Sequence, residues 1–585
     1  MREIVEIQRM AYGKGAIAKL SSGKTVFVYG GVPNETCEIE ITSDHKRYAE
    51  AKIVSREVKA EKIPGADWAD LDYEAQLKWK KNCVREAFVR NAKFDSLQID
   101  EILQDTIASP KKWNYRNKIE LAYQDGQLGM MQEGSNEFVQ ISEFNLAHEK
   151  IAKSPNALHG ALKFSLHGDD CGIFRVGIRH SERTGDIQIA LWTTPGWFPR
   201  HEVAKIVSDA TGATSIVRII AESGKARKIK QIEVLKGSPA WGEVLAGSKF
   251  SVSAPSFFQV NTEQAELLQT LVIRSLKNIE INKVADLYCG VGTFTLPLSK
   301  AGFSVTGVEL AGSSTKDLAK NLKRNEIEAK IICDDVKRAL PSLDAFDGCV
   351  VDPPKAGLDT SVVKQLIERS PKQITYVSCD PMTLSRDVRK FVDAGYKIKE
   401  ITPVDMFAQT HHVETVAVMS GDFGNKFGFK GELAMDDLIF RQARKDEMPR
   451  ILAMQADIFH GEQGIPADDI DTFLAKKPIC WCAKSKIDGK IYAATAAWQE
   501  NEETHWGRFV VFPAARGKHI GTKLAKVSFD ELFDMGIEKI YMDARDATVR
   551  IVCGMGGHIT GESYKFYEGN VTPVVLEKRD YVRTA

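Results

Sequence analysis

Residues 286–293 read Asp286-Leu287-Tyr288-Cys289-Gly290-Val291-Gly292-Thr293, a Gly-x-Gly turn that directly follows a short apolar run. Further short apolar runs stand between predicted helices, at 304–308, 348–351 and 374–378. Strands that alternate with helices in this way build a parallel sheet with helices on both faces. The sequence therefore predicts a doubly wound, Rossmann-like α/β domain over residues 251–421.

The turn also predicts a ligand, although taken alone it is compatible with a tight turn that binds nothing. Because glycine has no side chain, Gly290 and Gly292 let the backbone approach a bound molecule closely. Glu309 ends the next predicted strand about 20 positions later, where a carboxylate accepts hydrogen bonds from both hydroxyls of a ribose. Thr295 stands where a dinucleotide site has its third glycine, which favours S-adenosylmethionine. Asp335 either reaches the adenine or lies in a solvated loop.

The rest of the chain divides into further domains, and we expect a multidomain α/β protein. Residues 1–58 alternate apolar and polar positions in runs broken by glycines, which predicts a small β-barrel of a kind that often binds oligonucleotides. Residues 59–250 predict a central α+β domain that positions RNA. It includes a helix from Tyr73 to Phe94 whose apolar stripe is interrupted by Lys80 and Lys81. A polar, glycine-rich stretch at 422–435 predicts a linker, and a second α/β unit fills 436–585.

The composition is balanced in charge, with 79 Lys and Arg against 79 Asp and Glu, so any RNA contact has to come from local patches. The ten cysteines show no regular spacing, which indicates reduced thiols and excludes a secreted disulfide framework. No stretch approaches the roughly 18 apolar residues of a membrane span. We expect a soluble protein of the cytoplasm; the sequence does not indicate its oligomeric state.

Six motifs stand in a fixed order along the chain and together resemble a known enzyme family. They are SFFQVN at 256–261, DLYCGVGTF at 286–294, GVEL at 307–310, VDPPKAG at 351–357, YVSCDP at 376–381, and DMF at 405–407 followed by HVE at 412–414. Residues 1 to about 420 resemble the RNA uracil-5 methyltransferases, in the branch that has an N-terminal TRAM barrel and acts on 23S ribosomal RNA. The resemblance implies methylation of carbon 5 of a uridine in RNA, with transfer RNA as the alternative substrate.

The residue types suit that chemistry. Carbon 5 of uracil is a poor nucleophile, so a thiolate has to add to carbon 6 first, and Cys379 after the predicted strand 374–377 suits this role. Taken singly, such a cysteine is more often a small buried side chain. The proton on carbon 5 must then leave, which requires a base, and Glu414 matches the family's base position.

The resemblance also implies the binding residues. Its expected cofactor contacts are Gln259, Tyr288, Gly290, Gly292, Thr293, Glu309, Asp335 and Asp352. Asp352 is also expected to hold the uracil, and Phe257 to stack on an extruded base or else to pack in the core. Basic residues interleaved with aromatic ones at 111–118 predict RNA contacts by Lys111, Lys112 and Arg116, a solvated charged face being the alternative.

The chain departs from the family at a metal site. Many members of this branch hold an iron-sulfur cluster on four cysteines, but the segment 63–71 before the helix has none. Ala66 and Phe144 are expected to occupy two former ligand positions, and Cys83 and Cys171 have no partners at ligand spacing. We therefore expect no cluster and no metal.

Smaller departures lie near the expected active site. Thr293 stands where the family commonly has Asn, and Ala408 where it has Pro. Asp380 replaces an Asn directly after the nucleophile. Its negative charge is expected to raise the pKa of the neighbouring thiol.

Residues 436–585 resemble the GNAT acetyltransferases. A strand at 510–512 leads into a predicted helix start of the kind that cradles a coenzyme A pyrophosphate. The expected acetyl-CoA contacts are Arg516, Gly517, Lys518, Gly521 and Thr522. His519 replaces a usual glycine, and Val552 stands where a tyrosine normally supplies the general acid.

Three hypotheses follow for the whole chain. The first is an RNA methyltransferase with an accessory GNAT-like domain, and the second is a bifunctional enzyme that also acetylates an amine. The third, a non-catalytic RNA-binding or assembly factor, is disfavoured because the sequence holds a nucleophile, a base and cofactor residues together.

Overall fold

The computed structural model describes residues 1–13, 15–56, 63–131, 137–222, 228–277, 279, 281–421, 435–463, 473, 476–486, 489, 491–512, 515–567 and 569–583. For residues 453, 457 and 460–463 it describes the backbone alone. Residues 1–423 and 424–585 form two compact units. The predicted boundary between residues 58 and 59, and the predicted linker 422–435 apart from its last residue, lie outside the described residues.

The first unit begins with a closed five-stranded barrel. Its strands are β1 (Arg2–Ala11), β2 (Gly15–Lys19), β3 (Thr25–Tyr29), β4 (Thr36–Asp44) and β5 (Tyr48–Arg56), in the order β1-β2-β3-β5-β4. Alternate side chains, among them Val26 and Val28, point into a packed interior that also takes in Trp68 and Leu71. The small barrel predicted from the alternating pattern is confirmed.

A central α+β region follows. Its helices are α1 (Tyr73–Glu86), α2 (Ser96–Ile102), α3 (Glu149–Ala152), α4 (Ser154–Ser165) and α5 (Arg200–Thr211). Its strands are β6 (Lys118–Gln124), β7 (Gln127–Met131), β8 (Phe138–Gln140), β9 (Ile173–His180), β10 (Ile187–Thr193), β11 (Ser215–Ala221), β12 (Ile229–Lys236), β13 (Ala240–Leu245) and β14 (Ser248–Ser253). Seven of them form one sheet in the order β12-β11-β10-β9-β6-β7-β8. β14 runs across the domain boundary that the sequence predicted between residues 250 and 251.

The predicted helix from Tyr73 to Phe94 is shorter than expected. Its α-helical part ends at Glu86, and one π-helical turn, Ala87–Asn91, completes it. Asp72 caps its start by accepting hydrogen bonds from the main-chain N–H groups of residues 74 and 75. Phe94 lies beyond the helix and packs against Phe88.

The doubly wound sheet follows from α6 (Thr262–Lys277) onward. Its strands are β15 (Lys283–Leu287), β16 (Ser304–Glu309), β17 (Lys330–Cys333), β18 (Gly348–Val351), β19 (Gln373–Ser378), β20 (Lys397–Val404) and β21 (Glu414–Ser420). The helices between them are α7 (Thr295–Lys300), α8 (Gly312–Arg324), α9 (Val336–Ala339), α10 (Thr360–Arg369) and α11 (Pro381–Asp393). The order is β17-β16-β15-β18-β19-β21-β20, with the first five strands parallel and β21 antiparallel to both its neighbours. The predicted fold class is confirmed.

The second unit is another α/β sheet. Its strands are β22 (Leu438–Gln442), β23 (Ile479–Ser485), β24 (Ile491–Glu500), β25 (Glu503–Val511), β26 (Lys539–Ala544), β27 (His558–Ile559), β28 (Tyr564–Phe566) and β29 (Gly569–Glu577). Its helices are α12 (Met448–Gln463), α13 (Ile520–Asp534) and α14 (Asp546–Cys553). No helix in the described part of the chain has the length and apolar composition that crossing a bilayer requires.

Candidate active site

One edge of the doubly wound sheet collects the predicted catalytic residues. Strands β15 to β19 run parallel, so the residues that follow them meet at this edge, and Cys379 directly follows β19. β21 runs the opposite way and begins at Glu414. Because Ser378 pairs with Thr415, Cys379 and Glu414 lie at the adjoining ends of neighbouring strands.

The Gly-x-Gly turn follows β15 at the same edge. Tyr288, Gly290 and Gly292 have positive φ angles of 64°, 54° and 98°. The φ of Gly292 would strain any residue with a side chain, and a Cβ atom there would also lie 2.5 Å from side-chain carbons of Leu296 and Leu318. The turn thus depends on glycine both for its backbone conformation and for close helix packing.

Glu309 is fixed against this turn. Its Oε2 accepts a hydrogen bond of 3.1 Å from the N–H of Gly290, and its Oε1 accepts one of 2.7 Å from the N–H of Ala311. Each carboxylate oxygen has a second lone pair. The carboxylate is therefore oriented and still able to accept bonds from a ligand.

Asp286 is a fully buried carboxyl group beneath the turn. Thr295 donates a hydrogen bond of 2.6 Å to its Oδ2, while its Oδ1 has no hydrogen-bond partner among the described residues. Burial raises the pKa of Asp286 to about 7. A positively charged ligand nearby would favour the ionised form.

Two more carboxyl groups lie closer to Cys379. Glu414 is 3% exposed, and burial, with the nearby charge of Asp352, raises its pKa well above the ordinary range. Burial likewise raises the pKa of Asp352, with a smaller contribution from Asp286. Burial therefore favours the neutral form of both carboxyl groups, and only the ionised fraction of Glu414 can accept a proton.

The thiol of Cys379 is partly exposed. Burial raises its pKa to about 12, and the charges of Glu414, Asp352 and Asp380 add to the rise. Asp380 caps α11 by accepting hydrogen bonds from the N–H groups of Met382 (2.9 Å) and Thr383 (3.1 Å). Asp380 thus acts on the thiol in the direction that the sequence predicted.

Comparison with known proteins identifies the family. The family model described as tRNA (Uracil-5-)-methyltransferase matches residues 72–421, more than half of the chain. The chain belongs to this family. It is accordingly an S-adenosylmethionine-dependent RNA (uracil-5-)-methyltransferase, as the sequence resemblance implied. A second model, of the acetyltransferase (GNAT) family, matches residues 446–551, and the chain carries a GNAT domain there.

Individual relatives agree with this family. An uncharacterized RNA methyltransferase of Gloeobacter violaceus is 31% identical over 443 residues, covering 71% of this chain and 95% of the relative. One of Enterococcus faecalis is 31% identical over 452 residues, covering 72% and 96%. The crystal structure of the Pyrococcus abyssi tRNA (uracil-54, C5)-methyltransferase in complex with S-adenosyl-L-homocysteine superposes with a TM-score of 0.56 at 25% identity. It covers 72% of this chain and all of that one.

The remaining predicted cofactor residues of the methyltransferase differ in exposure. Gln259 is buried, and its main-chain carbonyl accepts a hydrogen bond of 3.0 Å from Asn117. Thr293 is also buried, and its carbonyl accepts one of 2.7 Å from Gln269. Asp335 follows β17 and caps α9 through the N–H of Lys337, so part of its hydrogen-bonding capacity serves the fold.

The predicted RNA contacts divide into two groups. Phe257 is 65% exposed, whereas Phe258 is buried against Trp241 and Phe250, so Phe257 alone of the pair presents a free aromatic face. Lys111 is engaged in ion pairs with Glu182 and Glu263, and an RNA phosphate would have to compete for it.

The other two predicted cations lie on aromatic rings. The Nζ of Lys112 lies 4.6 Å from the centre of the Tyr73 ring. The guanidinium of Arg116 lies 5.6 Å from the centre of the Phe407 ring. Arg116 is thereby placed beside the segment that leads to Glu414.

The sequence did not reveal which residues hold that segment. On α1, the fully buried Lys80 places its Nζ 2.5 Å from Asp405 Oδ1 and donates a hydrogen bond of 3.0 Å to the carbonyl of Phe407. Tyr73 donates one of 2.6 Å to Asp405 Oδ2, and Gln76 and Gln409 bond to each other. The sequence did contain one signal, a lysine within the apolar stripe of the helix, which indicated that Lys80 lies on the buried face. It did not indicate which residue pairs with Lys80.

Tyr12 is a second residue that sequence reasoning missed. It follows β1 of the barrel, and its hydroxyl donates a hydrogen bond of 2.9 Å to the main-chain carbonyl of Cys379. No sequence signal links two residues that stand 367 positions apart.

The expected former cluster positions lie together in the apolar interior. Ala66 and Phe144 are buried in one hydrophobic cluster, and a Cβ on Gly65 would lie 2.8 Å from the Phe144 ring. Cys83 packs into the core of the barrel. Among the described residues no three His, Cys, Asp or Glu side chains are grouped as metal ligands.

The GNAT domain has an open helix start beside diverging strands. β25 and β26 run parallel and pair only at Thr504 with Ile540 and at His505 with Tyr541. α13 begins after His519, whose φ is 59°, and no side chain in the described part of the chain caps it. Of the five predicted acetyl-CoA contacts, Lys518 is exposed, while a Cβ on Gly521 would lie 3.0 Å from the side chains of Phe509 and Val511.

The other expected residues of the GNAT domain are placed as follows. Arg516 donates a hydrogen bond of 2.9 Å to the carbonyl of Val511, which joins the loop to the end of β25. Gly517 has a φ of 75°, and Thr522 is half-buried in the first turn of α13. Val552 is fully buried in the hydrophobic core of the unit.

Proposed function

We propose that the methyltransferase uses Cys379 as a covalent nucleophile and Glu414 as the base. The observation that carries this proposal is their placement at the adjoining ends of β19 and β21, at the edge where the cofactor turn also lies. A thiol and a carboxyl group on rigid neighbouring strands are well suited to act on two adjacent atoms of one ring.

The proposed reaction has three steps. The Cys379 thiolate forms a bond to carbon 6 of uracil, and the electrons of the C5–C6 double bond move into an enolate. S-adenosylmethionine, when bound, would supply the electrophilic methyl group that carbon 5 receives and would leave as S-adenosylhomocysteine. The carboxylate of Glu414 then removes the proton from carbon 5, the C5–C6 double bond re-forms, and the S–C6 bond breaks to return the thiolate.

The residues at the edge fit such a cofactor. Glu309 has free lone pairs for a ribose diol, and Leu310 beside it is 61% exposed and offers an apolar face. A positively charged group nearby would stabilise the ionised forms of two buried carboxyl groups, Asp286, whose Oδ1 has no hydrogen-bond partner among the described residues, and Asp352. We propose that the cofactor is held by Gln259, Tyr288, Gly290, Gly292, Thr293, Glu309, Asp335 and Asp352.

The RNA contacts are proposed from the exposure and the partners of the side chains that the sequence indicated. The exposed ring of Phe257 is suited to stack on an extruded base, and Asp352 to bond the uracil. Lys112 and Arg116 are assigned to the RNA backbone, and Lys111 only where a phosphate displaces its carboxylate partners.

Two variants test the mechanism. Cys379→Ala is expected to lose methylation and to form no covalent complex with RNA. Glu414→Gln is expected to accumulate a methylated enzyme–RNA adduct, seen as a slow band on a denaturing gel, because the proton on carbon 5 cannot leave. Cys171→Ser, at a partly exposed thiol of the central region, is the matched control. Methylation by Cys379→Ala would refute the mechanism.

We propose 23S ribosomal RNA as the substrate, on the basis of the N-terminal barrel. Transfer RNA is the second candidate, favoured by the similarity to the Pyrococcus abyssi tRNA enzyme, which covers 72% of this chain. Methyl transfer from labelled cofactor to separately transcribed 23S and transfer RNAs distinguishes them, with the product mapped by mass spectrometry.

A bifunctional enzyme is the second candidate function. The match to the GNAT family and the open start of α13 favour binding of acetyl-CoA. The burial of Val552 counts against a general acid at that position.

A further inference from the structure

The tip of the first barrel hairpin reaches the candidate active site. Ala11 pairs with Gly15 across the turn, and Tyr12 is the first residue of that turn. Gly13 and Gly15 have φ angles of 71° and 76°, and a Cβ on Gly15 would lie 2.6 Å from the carbonyl oxygen of Val28. Glycine is therefore required for the tight turn that presents Tyr12.

Tyr12 makes two contacts there. Its hydroxyl donates a hydrogen bond of 2.9 Å to the carbonyl oxygen of Cys379. The edge of its ring meets the ring of His411, with centres 5.7 Å apart, and His411 Nδ1 lies 2.5 Å from Asp67 Oδ2. Burial, with the charges of Asp380, Cys379 and Glu414, raises the pKa of Tyr12 far above its ordinary value, so the hydroxyl remains a donor.

The barrel that carries Tyr12 is anchored to the same body. One guanidinium nitrogen of Arg9 on β1, Nη1, donates to both carboxylate oxygens of Glu86 on α1. The apolar interior of the barrel also includes Trp68, which precedes α1, and Cys83, which lies on α1. Tyr12 is thus held on a rigid support. Its hydrogen bond can therefore fix the position of the Cys379 carbonyl and does not merely adapt to it.

The Cys379–Asp380 peptide is also held from its other side, because Ser378 Oγ accepts a hydrogen bond of 3.2 Å from the N–H of Asp380. Ser378 donates a side-chain hydrogen bond of 3.1 Å to the carbonyl of Asp380, and Asp380 caps α11. The peptide carbonyl between these two residues is the group that Tyr12 holds. A rotation of this peptide plane would move the Sγ atom of Cys379 relative to the uracil ring.

We propose that Tyr12 is a positioning residue for methyl transfer: the barrel, besides any role in binding RNA, fixes the peptide of the nucleophile. The inference rests on the proposed function of Cys379. A reacting atom displaced by about 1 Å can lose as much as a hundredfold in rate. Removal of one hydrogen bond that holds it is expected to have a smaller effect.

The test is Tyr12→Phe in the full chain, which keeps the ring on His411 and removes only the hydroxyl. Single-turnover methylation at saturating RNA is expected to slow by about 3- to 10-fold, with the KM for RNA and the melting temperature little changed. Tyr48→Phe, a partly exposed tyrosine on the outer side of the barrel whose ring packs on Phe27 and His45, is the matched control. A Tyr12→Phe rate equal to wild type, or a rise in KM alone, would overturn the inference.

A second readout separates this inference from the mechanism beneath it. RNA with 5-fluorouridine at the target traps the thiol adduct, because carbon 5 then carries no proton to release. Tyr12→Phe is expected to form the adduct more slowly than wild type, and Cys379→Ala not at all. Adduct with Cys379→Ala would refute the proposed function and this inference with it. No adduct with Cys379→Ala together with wild-type kinetics for Tyr12→Phe would refute this inference alone.

Discussion

Cys379 is surrounded by groups that oppose its ionisation. Reactive cysteines commonly lie beside cations or uncapped helix N-termini, which lower the pKa of the thiol. Here the helix that follows is capped by the carboxylate of Asp380, and Glu414 and Asp352 lie close by. In the free protein at neutral pH the nucleophile is therefore a thiol, and its reactivity has to increase with pH.

This surrounding gives a prediction for Asp380→Asn. Because the pKa of Cys379 is raised to about 12, alkylation of this thiol by iodoacetamide is expected to rise about tenfold per pH unit between about pH 7 and 9. Asn caps a helix as well as Asp does, so the variant keeps the cap and removes one negative charge. The pKa of the thiol should fall, and alkylation at pH 8 should be about two- to fivefold faster.

Mass spectrometry of the Cys379 peptide measures this rate in the presence of other thiols. Asp95→Asn, the same change at the cap of α2, is the control and should leave the rate as in wild type. Two results would contradict the role given to these charges. One is an alkylation rate that no longer rises with pH above pH 7, and the other is a pH profile of Asp380→Asn that coincides with that of the wild type.

At the scale of elements, one face of α1 holds the segment that leads to the proposed base. Tyr73, Gln76 and Lys80 are three and four positions apart and so lie on one side of the helix. They bond to Asp405, Phe407 and Gln409. Moving two charges out of water is costly. The further hydrogen bonds that Lys80 and Asp405 each make offset part of this cost.

Lys80→Met tests this arrangement. Removal of one member of a buried pair leaves the carboxylate of Asp405 uncompensated, which typically costs about 3–5 kcal/mol. The first unit should melt at a lower temperature, and the amide hydrogens of residues 405–409 should exchange faster. The double variant Lys80→Met/Asp405→Asn should recover part of the loss, since no lone charge remains. Lys81→Met, at a surface ion pair with Asp105, is the control. Equal effects of Lys80→Met and Lys81→Met would argue against a buried pair.

These residues also mark how far the sequence predicts the fold and the site. Short apolar runs and the glycines at 290 and 292 predict the sheet and its turn because both signals are local. The edge that joins Cys379 to Glu414 was predictable because the residues after parallel strands must meet. The partner of Lys80 and the contact of Tyr12 were not, because each depends on how separate segments dock. A single chain carries no local record of such docking.

At the scale of the whole molecule, the second unit has its own hydrophobic core. Trp481, Trp506 and Phe529 are fully buried in it. That core stabilises the fold of the GNAT domain without any need for catalysis. Whether the unit binds an acyl-CoA depends on the loop before α13, where its exposed cation and free helix start lie.

The last prediction concerns that loop. The main-chain N–H groups of an uncapped helix start and the exposed side chain of Lys518 suit the pyrophosphate of acetyl-CoA, whereas His519 brings a side chain to the same turn. Calorimetric titration of the full chain is expected to detect acetyl-CoA binding, weakened about 3- to 10-fold by Lys518→Ala through loss of one charge-assisted contact. Lys578→Ala, at a surface pair with Glu538, should bind as wild type does. No binding up to about 1 mM, the weak end of measurable affinities, would leave the unit as a fold kept for another purpose. Binding without acetyl transfer to any amine would fit the burial of Val552, since the fold would then hold the cofactor with no acid at that position to complete the reaction.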